Sequence, residues 1–211
     1  MNKNLLLIGG GGHCKSIIES LSRNNDFDKI AIVDLVEKTG TTVLGVTVIG
    51  CDNDLSDLYK SFKYGFVSIG TIGNTSTKIG LYNKINNIGF IIPNIIDITS
   101  IVSNYTKLGT GVYIGAKSFV NANTTIGNGA VINTNSIVEH DCEIGDFCHV
   151  APGATVCGNV RIGNNTHIGA GTTIKQGVNI GESVMIGIGS VVTKNIASNI
   201  TAYGNPCRER I

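Results

Sequence analysis

Three consecutive residues, Glu139, His140 and Asp141, place an imidazole between two carboxylates. Imidazole titrates near neutral pH, and a neighbouring carboxylate fixes its tautomer and supports the imidazolium that forms when the ring takes a proton. This is the usual equipment of a general base. A solvated surface histidine is the alternative for His140, and the spacing of these three residues alone does not decide between the two.

The elements that carry this triplet are predicted by a repeat. From residue 102 to residue 192 every sixth residue is aliphatic, and the positions four residues later are nearly all small or compact. A large and a small inward side chain in each six-residue unit is typical of a parallel β-helix, whose triangular coil takes three units, about 18 residues. The aliphatic set is Val102, Leu108, Ile114, Val120, Ile126, Ile132, Val138, Ile144, Val150, Val156, Ile162, Ile168, Ile174, Ile180, Ile186 and Val192.

This register assigns a direction to each candidate side chain. His140 takes an outward position, whereas Cys142 and Cys148 take the small inward position and need no chemistry there. His167 follows His149 by one coil, so these two histidines should stack on one edge of the prism. We expect His167 to be a solvated surface residue.

Residues 1–95 have a different pattern, with short apolar strands alternating with amphipathic stretches at His13–Ser22, Asp54–Phe62 and Lys78–Asn86. Such alternation predicts a small parallel α/β domain. We therefore expect two domains, a Rossmann-like domain over residues 1–95 and a β-helix with a terminal tail over residues 96–211. The chain should thus be α/β at its N-terminal end and a parallel β-helix beyond.

The sequence "GGGGH" follows the first predicted strand, but the dinucleotide pattern G-x-G-x-x-G fails in both registers. A glycine turn that leads into a helix is still suited to phosphate, because backbone N–H groups and the helix dipole converge there. A tight turn without a ligand is the alternative.

The composition and charge of the chain limit the kinds of partner and ligand that we expect. The formal net charge is +1, from 16 basic and 15 acidic residues, which argues against a nucleic-acid partner. The first apolar segment is too short for a signal peptide or a membrane span, so we expect a cytoplasmic protein without membrane insertion. The six cysteines form no C-x-x-C pair, so we expect thiols and no metal site.

The hexads, the leading "LLIGGGGHCKSIIESL", the block "NTNSIVEHDCEIGDFCHVAPGATVCGNVRIG" and the closing "AYGNPCR" together resemble the bacterial hexapeptide-repeat sugar acyltransferase family. This family contains UDP-N-acetylbacillosamine N-acetyltransferase and the sialic acid O-acetyltransferases. The resemblance covers nearly the whole chain. It implies a left-handed β-helix and a homotrimer with active sites between neighbouring prisms.

The resemblance also implies roles for individual residues. It makes His140 the general base and Asp141 the carboxylate that raises its basicity. Acetyl-coenzyme A (acetyl-CoA) is the implied co-substrate, contacted by His149, Ala170 and Ile188. A nucleotide-sugar site is implied at Gly11, Gly12, His13, Asp34, Leu35 and Gly73. Leu35 stands where related UDP-sugar enzymes tend to carry a second acid, which leaves the base and the sugar open.

We therefore expect an acetyl-CoA-dependent acetyltransferase acting on the amino group of a nucleotide-linked amino sugar, such as a UDP-4-amino-4,6-dideoxy sugar, for surface glycans. The first alternative is O-acetylation of a sialic-acid-like sugar. The second is a non-catalytic trimeric nucleotide-binding scaffold. A metal-dependent carbonic anhydrase is a third, and it requires His140, His149 and His167 at one interface.

Overall fold

A computed structural model describes residues 3–210 of the chain. Internal contacts divide the chain into two compact units. The first unit holds the residues up to Thr71 together with Ser76–Ile95, and the second holds Ile72–Thr75 and the residues from Ile96 onward. The main boundary lies one hexad before Val102, and the segment Ile72–Thr75 belongs with the second unit.

The first unit is built on a five-stranded sheet in the order β3-β4-β2-β1-β5, in which only β3 runs antiparallel to its neighbour. The strands are β1 (Asn4–Ile8), β2 (Lys29–Val33), β3 (Thr42–Val43), β4 (Val46–Gly50) and β5 (Tyr64–Val67). The helices are α1 (Gly12–Asn24), α2 (Leu55–Leu58), α3 (Ser76–Ile88) and a short 3-10 helix at Val36–Lys38.

The burial of apolar side chains explains how the strands and helices of the first unit are arranged. The apolar run of β1 is buried from Leu5 to Ile8, as expected for a central parallel strand covered on both faces. Helix α1 turns its apolar side inward and is capped by Asn25, which takes the left-handed conformation (φ 53°) and donates its backbone N–H to Leu21 O. The short antiparallel pair β3–β4 was not predicted, and α2 is shorter than the predicted Asp54–Phe62.

The second unit is a stack of very short parallel strands on three faces, with neighbours along each face one coil apart. Face 1 holds β7 (Ile101–Val102), β10 (Phe119–Val120), β13 (Ile137–Val138), β16 (Thr155–Val156), β19 (Thr173–Ile174) and β22 (Val191–Val192). Face 2 holds β8 (Lys107–Leu108), β11 (Thr125–Ile126), β14 (Glu143–Ile144), β17 (Arg161–Ile162) and β20 (Asn179–Ile180).

Face 3 begins one hexad earlier than the sequence repeat, at β6, and ends in an antiparallel pair, β23–β24. Its strands are β6 (Ile95–Ile96), β9 (Tyr113–Ile114), β12 (Val131–Ile132), β15 (His149–Val150), β18 (His167–Ile168), β21 (Met185–Ile186), β23 (Thr201–Tyr203) and β24 (Arg208–Arg210).

The aliphatic residue of each hexad forms the core of this prism, because every one from Ile114 to Val192 is buried. Burying one such side chain contributes about 1.5–3 kcal/mol. Most small inward positions that carry a hydroxyl or thiol donate it to a main-chain carbonyl of the next coil, whereas Ser136 and Ser190 donate to a carbonyl three residues earlier. Thr124 Oγ1, for example, donates to Glu139 O at 2.9 Å, and Cys148 Sγ donates to Gly163 O at 3.0 Å.

Candidate active site

His140 lies in the turn between β13 and β14, and its ring projects outward, with half of the side chain exposed. Its Nδ1 is 2.7 Å from Asp141 Oδ2. A carboxylate only accepts, so Nδ1–H donates and the ring lone pair is on Nε2. The imidazole is therefore in the tautomer that takes up a proton at Nε2.

Two asparagines of the preceding coil hold the carboxylates on either side of His140. Asn123 Nδ2 donates to Asp141 Oδ1, and Asn121 Nδ2 donates to Glu139 Oε2, each at 2.7 Å. The pKa of Asp141 is lowered, first by the Asn123 hydrogen bond and then by the one from His140. Sequence reasoning missed both asparagines, although each lies one coil before its partner and the repeat was the available signal.

The chain folds into this turn because its residue types tolerate the left-handed region. Asn123, Asp141, Asn159 and Gly177 occupy the same corner in successive coils, with φ of 58°, 60°, 56° and 73°. Asparagine, aspartate and glycine are the residues that adopt this conformation most readily. The geometry of the turn thus selects an aspartate or a similar residue beside His140.

A groove of about 1060 Å³ runs over face 2 in front of this corner. His140, Asp141 and Asn123 line it at one side, and Glu143 and Arg161, joined by a 3.2 Å ion pair, line its floor. The groove is open and polar, so it suits a hydrophilic ligand that brings its own hydrogen-bonding groups.

His149 and His167 pair on face 3, as the register predicted, with ring centroids 4.9 Å apart in an edge-to-face arrangement. Asn133 Nδ2 lies 3.1 Å from His149 Nε2. Because the amide nitrogen donates, His149 Nε2 accepts and the ring proton is on Nδ1. The orientation of the His149 ring is therefore fixed from two sides.

The expectation that His167 is a solvated surface residue was wrong. His167 is only 8% exposed, because its neighbours in the adjoining coils, His149 and Met185, cover the ring. Within residues 3–210 its Nδ1 has no hydrogen-bond partner, and burial lowers its pKa. His167 is thus held neutral beneath His149.

His140 and His149 lie on different sides of the prism. Nine residues separate them, which is half a coil, so they project in roughly opposite directions from one chain. Ala170 and Ile188 lie one coil apart at the corner that follows face 3, where Gly189 N–H donates to Ala170 O at 2.8 Å. Ile188 is 80% exposed. His149, Ala170 and Ile188 therefore follow one side of the prism, away from His140.

Cys142 and Cys148 face inward, as predicted, and are buried. Burial raises the pKa of Cys142 to about 11 and that of Cys148 to about 12. Both thiols remain protonated at neutral pH, so neither is a competent nucleophile.

In the first unit, the glycine loop leads directly into α1, with Gly11 as the N-cap and Gly12 and His13 in the first turn. A Cβ added at Gly11 or Gly12 would have open space within 4 Å, and both residues are exposed. The first N–H groups of a helix have no partner within that helix. Asp34 follows β2 and binds this loop, because its Oδ2 accepts from Gly10 N–H at 2.9 Å. The structure thus brings the first loop and Asp34 together.

Both oxygens of the Asp34 carboxylate accept hydrogen bonds from groups of the same unit. Its Oδ2 also accepts from Lys38 Nζ at 2.9 Å, and its Oδ1 accepts from Leu35 N–H at 2.7 Å. Burial raises the pKa of Asp34, but these hydrogen bonds outweigh it and the net shift is downward. Asp34 therefore organises the loop, whereas Leu35 beside it is exposed and borders a cavity of about 160 Å³.

Gly73 differs from the other residues predicted to bind the nucleotide sugar, because its segment belongs to the second unit. It has a φ of 79°, and a Cβ added there would lie 2.9 Å from Met185 Cε. Its packing against the β-helix accounts for a glycine at this position.

Residues 3–210 contain no group of three or more His, Cys, Asp or Glu side chains arranged to hold a metal ion. In the same range, no helix combines the length and the apolar character needed to cross a membrane.

Two family profiles match the sequence. The profile described as "PglD N-terminal domain" matches residues 4–85, and the one described as "Bacterial transferase hexapeptide (six repeats)" matches residues 123–158 and 148–176. No curated protein matches the chain in sequence.

Several solved structures resemble the whole chain. A histidine mutant of perosamine N-acetyltransferase from Caulobacter crescentus, in complex with CoA and GDP-perosamine, is 35% identical over 99% of this chain and 97% of that chain, with a TM-score of 0.93. The acetyltransferase domain of PglB from Neisseria gonorrhoeae, in complex with acetyl coenzyme A, is 31% identical over 100% of both chains, with a TM-score of 0.92.

WeeI from Acinetobacter baumannii is 26% identical over 98% of this chain and 99% of that chain, with a TM-score of 0.88. These matches confirm the predicted fold, an α/β domain followed by a left-handed parallel β-helix.

Proposed function

Because the chain belongs to the bacterial hexapeptide-repeat sugar acyltransferase family, we propose that it transfers the acetyl group of acetyl-CoA to the amino group of a nucleotide-linked amino sugar. The observation that carries this proposal is the His140–Asp141 pair, an imidazole with its proton on Nδ1 and its basic Nε2 beside an open groove. The similarity to an N-acetyltransferase solved with CoA and GDP-perosamine supports the substrate class.

In this mechanism the sugar amine attacks the thioester carbonyl carbon directly. His140 Nε2 takes the proton from the attacking nitrogen, and Asp141 stabilises the imidazolium. The C–S bond then breaks, and the His140 imidazolium gives its proton to the leaving CoA thiolate, which regenerates the base. A covalent acetyl-enzyme is not required, which agrees with the burial of Cys142 and Cys148.

We assign the nucleotide of the acceptor to the first unit. The N–H groups of the exposed Gly11 and Gly12 at the start of α1 suit the diphosphate, since the helix dipole favours negative charge there. The exposed Leu35 and the small cavity beside it suit the apolar face of a nucleobase. We propose that the acetylated sugar serves surface glycan synthesis.

The half-coil separation of His140 and His149 favours a site shared by two chains. If His149, Ala170 and Ile188 contact the coenzyme, the thioester lies on the side of the prism opposite His140 of the same chain. A homotrimer with a groove between neighbouring prisms brings His140 of one protomer to the coenzyme on the next. A closed threefold ring of this kind gives three equivalent sites.

Mixed trimers test this arrangement. The variants His140→Ala and His149→Ala are co-expressed with different affinity tags, and the mixed trimers are isolated. A trimer that contains both variants retains one intact site out of three, so the isolated mixed trimers should have about one third of the wild-type activity. Activity no higher than the mean of the two parent variants contradicts a shared site.

We place the reaction in the cytoplasm. All six cysteines are free thiols in the structure, which suits a reducing compartment.

An acceptor panel tests the substrate class. Release of CoA thiol is measured with acetyl-CoA and UDP-, GDP- and TDP-linked amino sugars, alongside free and CMP-linked sialic acids. We expect turnover on one or more nucleotide-linked amino sugars, with N-acetylation identified by mass spectrometry. Turnover on sialic acids alone supports O-acetylation instead, and absence of turnover on every acceptor, despite nucleotide binding, supports the scaffold alternative.

A further inference from the structure

Gly158 lies directly next to the ring of His140. It occupies the same corner one coil later and is buried. A Cβ built on Gly158 would lie 2.7 Å from His140 Cε1, 2.8 Å from Nε2 and 3.3 Å from Nδ1. Contacts below 3.0 Å between carbon and ring atoms are strongly repulsive, so any other residue at position 158 requires the imidazole to move.

The backbone of Gly158 does not itself require glycine. Its φ lies outside the left-handed region, and the same position in the adjoining coils carries a side chain, His140 in one and Gln176 in the other. An alanine therefore fits the local backbone conformation at position 158. What excludes a side chain there is the ring of His140.

Other glycines of the β-helix have a different role. At Gly127, Gly145 and Gly163, an added Cβ would lie 2.5–2.7 Å from the backbone nitrogen of a residue in the next coil. Those glycines allow successive coils to approach one another. At Gly158, by contrast, the three nearest atoms all belong to the His140 side chain.

The two coils are fixed at this corner, so the backbone cannot withdraw to make room. His140 O accepts from Asn159 N–H at 2.9 Å, and Gly158 O accepts from Gly177 N–H at 3.0 Å. On the other side of His140, Ala122 O accepts from Asp141 N–H at 3.1 Å. Hydrogen bonds thus join four successive coils around the ring.

We propose that Gly158 is a positioning residue for His140: its missing side chain reserves the space in which the imidazole holds Nδ1 against Asp141 and Nε2 toward the groove. The inference rests on the proposed function, since it supposes that the His140 ring is the base. With an alanine at position 158, the ring moves off its present rotamer and the 2.7 Å hydrogen bond to Asp141 is lost.

The variant Gly158→Ala tests this in two independent ways. A crystal structure of the variant should show the His140 ring displaced and the contact between Nδ1 and Asp141 Oδ2 broken. This readout does not depend on the reaction. A ring that keeps its position, with the 2.7 Å contact intact, overturns the proposal whatever the activity.

Kinetics provide the second test, as a double-mutant cycle with His140→Ala. We expect Gly158→Ala to lower kcat about tenfold or more, while KM for acetyl-CoA changes little, because a misplaced base weakens proton transfer. In the His140→Ala background the same change should have no further effect. An equal loss of kcat in both backgrounds overturns the proposal, because it shows an effect that is independent of the ring.

If Gly158→Ala folds poorly, the thermal stability of the double variant still tests the proposal. Removing the ring removes the clash, so the double variant should have a Tm within about 2 °C of that of His140→Ala alone. A double variant as unstable as Gly158→Ala overturns the proposal. Gly80→Ala is the matched control, because Gly80 in α3 has open space around its Cβ position, and we expect wild-type kcat from it.

The outcomes also separate this inference from the proposed function. If His140→Ala retains full turnover, the general base of the proposed function is wrong. Ring displacement and the stability cycle then still decide whether Gly158 positions the imidazole.

Discussion

Asn123 Nδ2 donates a 2.7 Å hydrogen bond to Asp141 Oδ1, while the other oxygen of the same carboxylate accepts from His140 Nδ1. The three side chains thus form one chain of hydrogen bonds across two coils. Asp141 is exposed to solvent, so its orientation depends on these partners. Asn123 thereby fixes the carboxylate that fixes the imidazole.

The first prediction concerns this amide. Asn123→Gly keeps the left-handed backbone, since glycine adopts φ near 58° freely, and removes only the donor to Asp141. We expect kcat to fall about three- to tenfold, the scale of one lost hydrogen bond. Asn135→Gly is the matched control, because Asn135 has a similar φ of 55° and an exposed side chain. Equal loss in both variants would assign the effect to the backbone.

The second prediction concerns the base itself. His140→Ala should lower kcat by about a hundredfold or more, the usual scale for losing a general base. The oligomeric state, measured by light scattering, should stay unchanged, because the side chain is outward and contributes nothing to the core. Unchanged turnover in this variant would remove the proposed mechanism.

The third prediction follows from the buried His167. Burial lowers its pKa, so the folded chain keeps it neutral while the unfolded chain takes a proton near pH 6.5. The unfolded state then binds more protons, and the free energy of unfolding falls as the pH drops below about 6.5. His167→Phe should flatten this dependence in unfolding measurements between about pH 5 and 8. An unaltered slope would show that His167 is protonated in the fold.

The fourth prediction concerns Lys78 in α3, which is buried and whose pKa is lowered by that burial to about 8. The unfolded chain holds this proton up to pH 10.5, so the free energy of unfolding should rise between pH 8 and 10.5. Lys78→Met removes the buried charge and keeps a side chain of similar shape. We expect it to raise Tm at pH 7 and to reduce that rise, and a lower Tm at pH 7 would contradict this account.

The β-helix is predictable from sequence because its inward positions repeat without interruption. The register predicted that His140 points outward and that Cys142 and Cys148 point inward. It also predicted that His149 and His167 are neighbours in adjoining coils. It failed on the burial of His167, because the register gives the direction of a side chain but not whether its neighbours in the adjoining coils cover it. The rings of His149 and His167 and the side chain of Met185 lie in one column and cover one another.

The site is less visible in the sequence than the fold. His140 and Asp141 stand out by residue type, whereas Asn121, Asn123 and Gly158 act from adjoining coils and resemble ordinary turn residues. In the first unit, the strands β1, β2 and β5 are clear apolar runs. The pair β3–β4 is too short to show an alternation of apolar and polar residues in the sequence. Helix α2 ends at Leu58, although the apolar pattern continues to Phe62.

In the proposed mechanism His140 meets the acceptor amine at the thioester, and a crystal structure of the protein with CoA and the preferred nucleotide-linked amino sugar tests this most directly. We predict that the sugar amine lies within hydrogen-bond distance of His140 Nε2, with the CoA sulfur beside it and His149 of the neighbouring chain along the coenzyme. An amine located away from His140, or a complex in which the chains are separate monomers, would contradict the account.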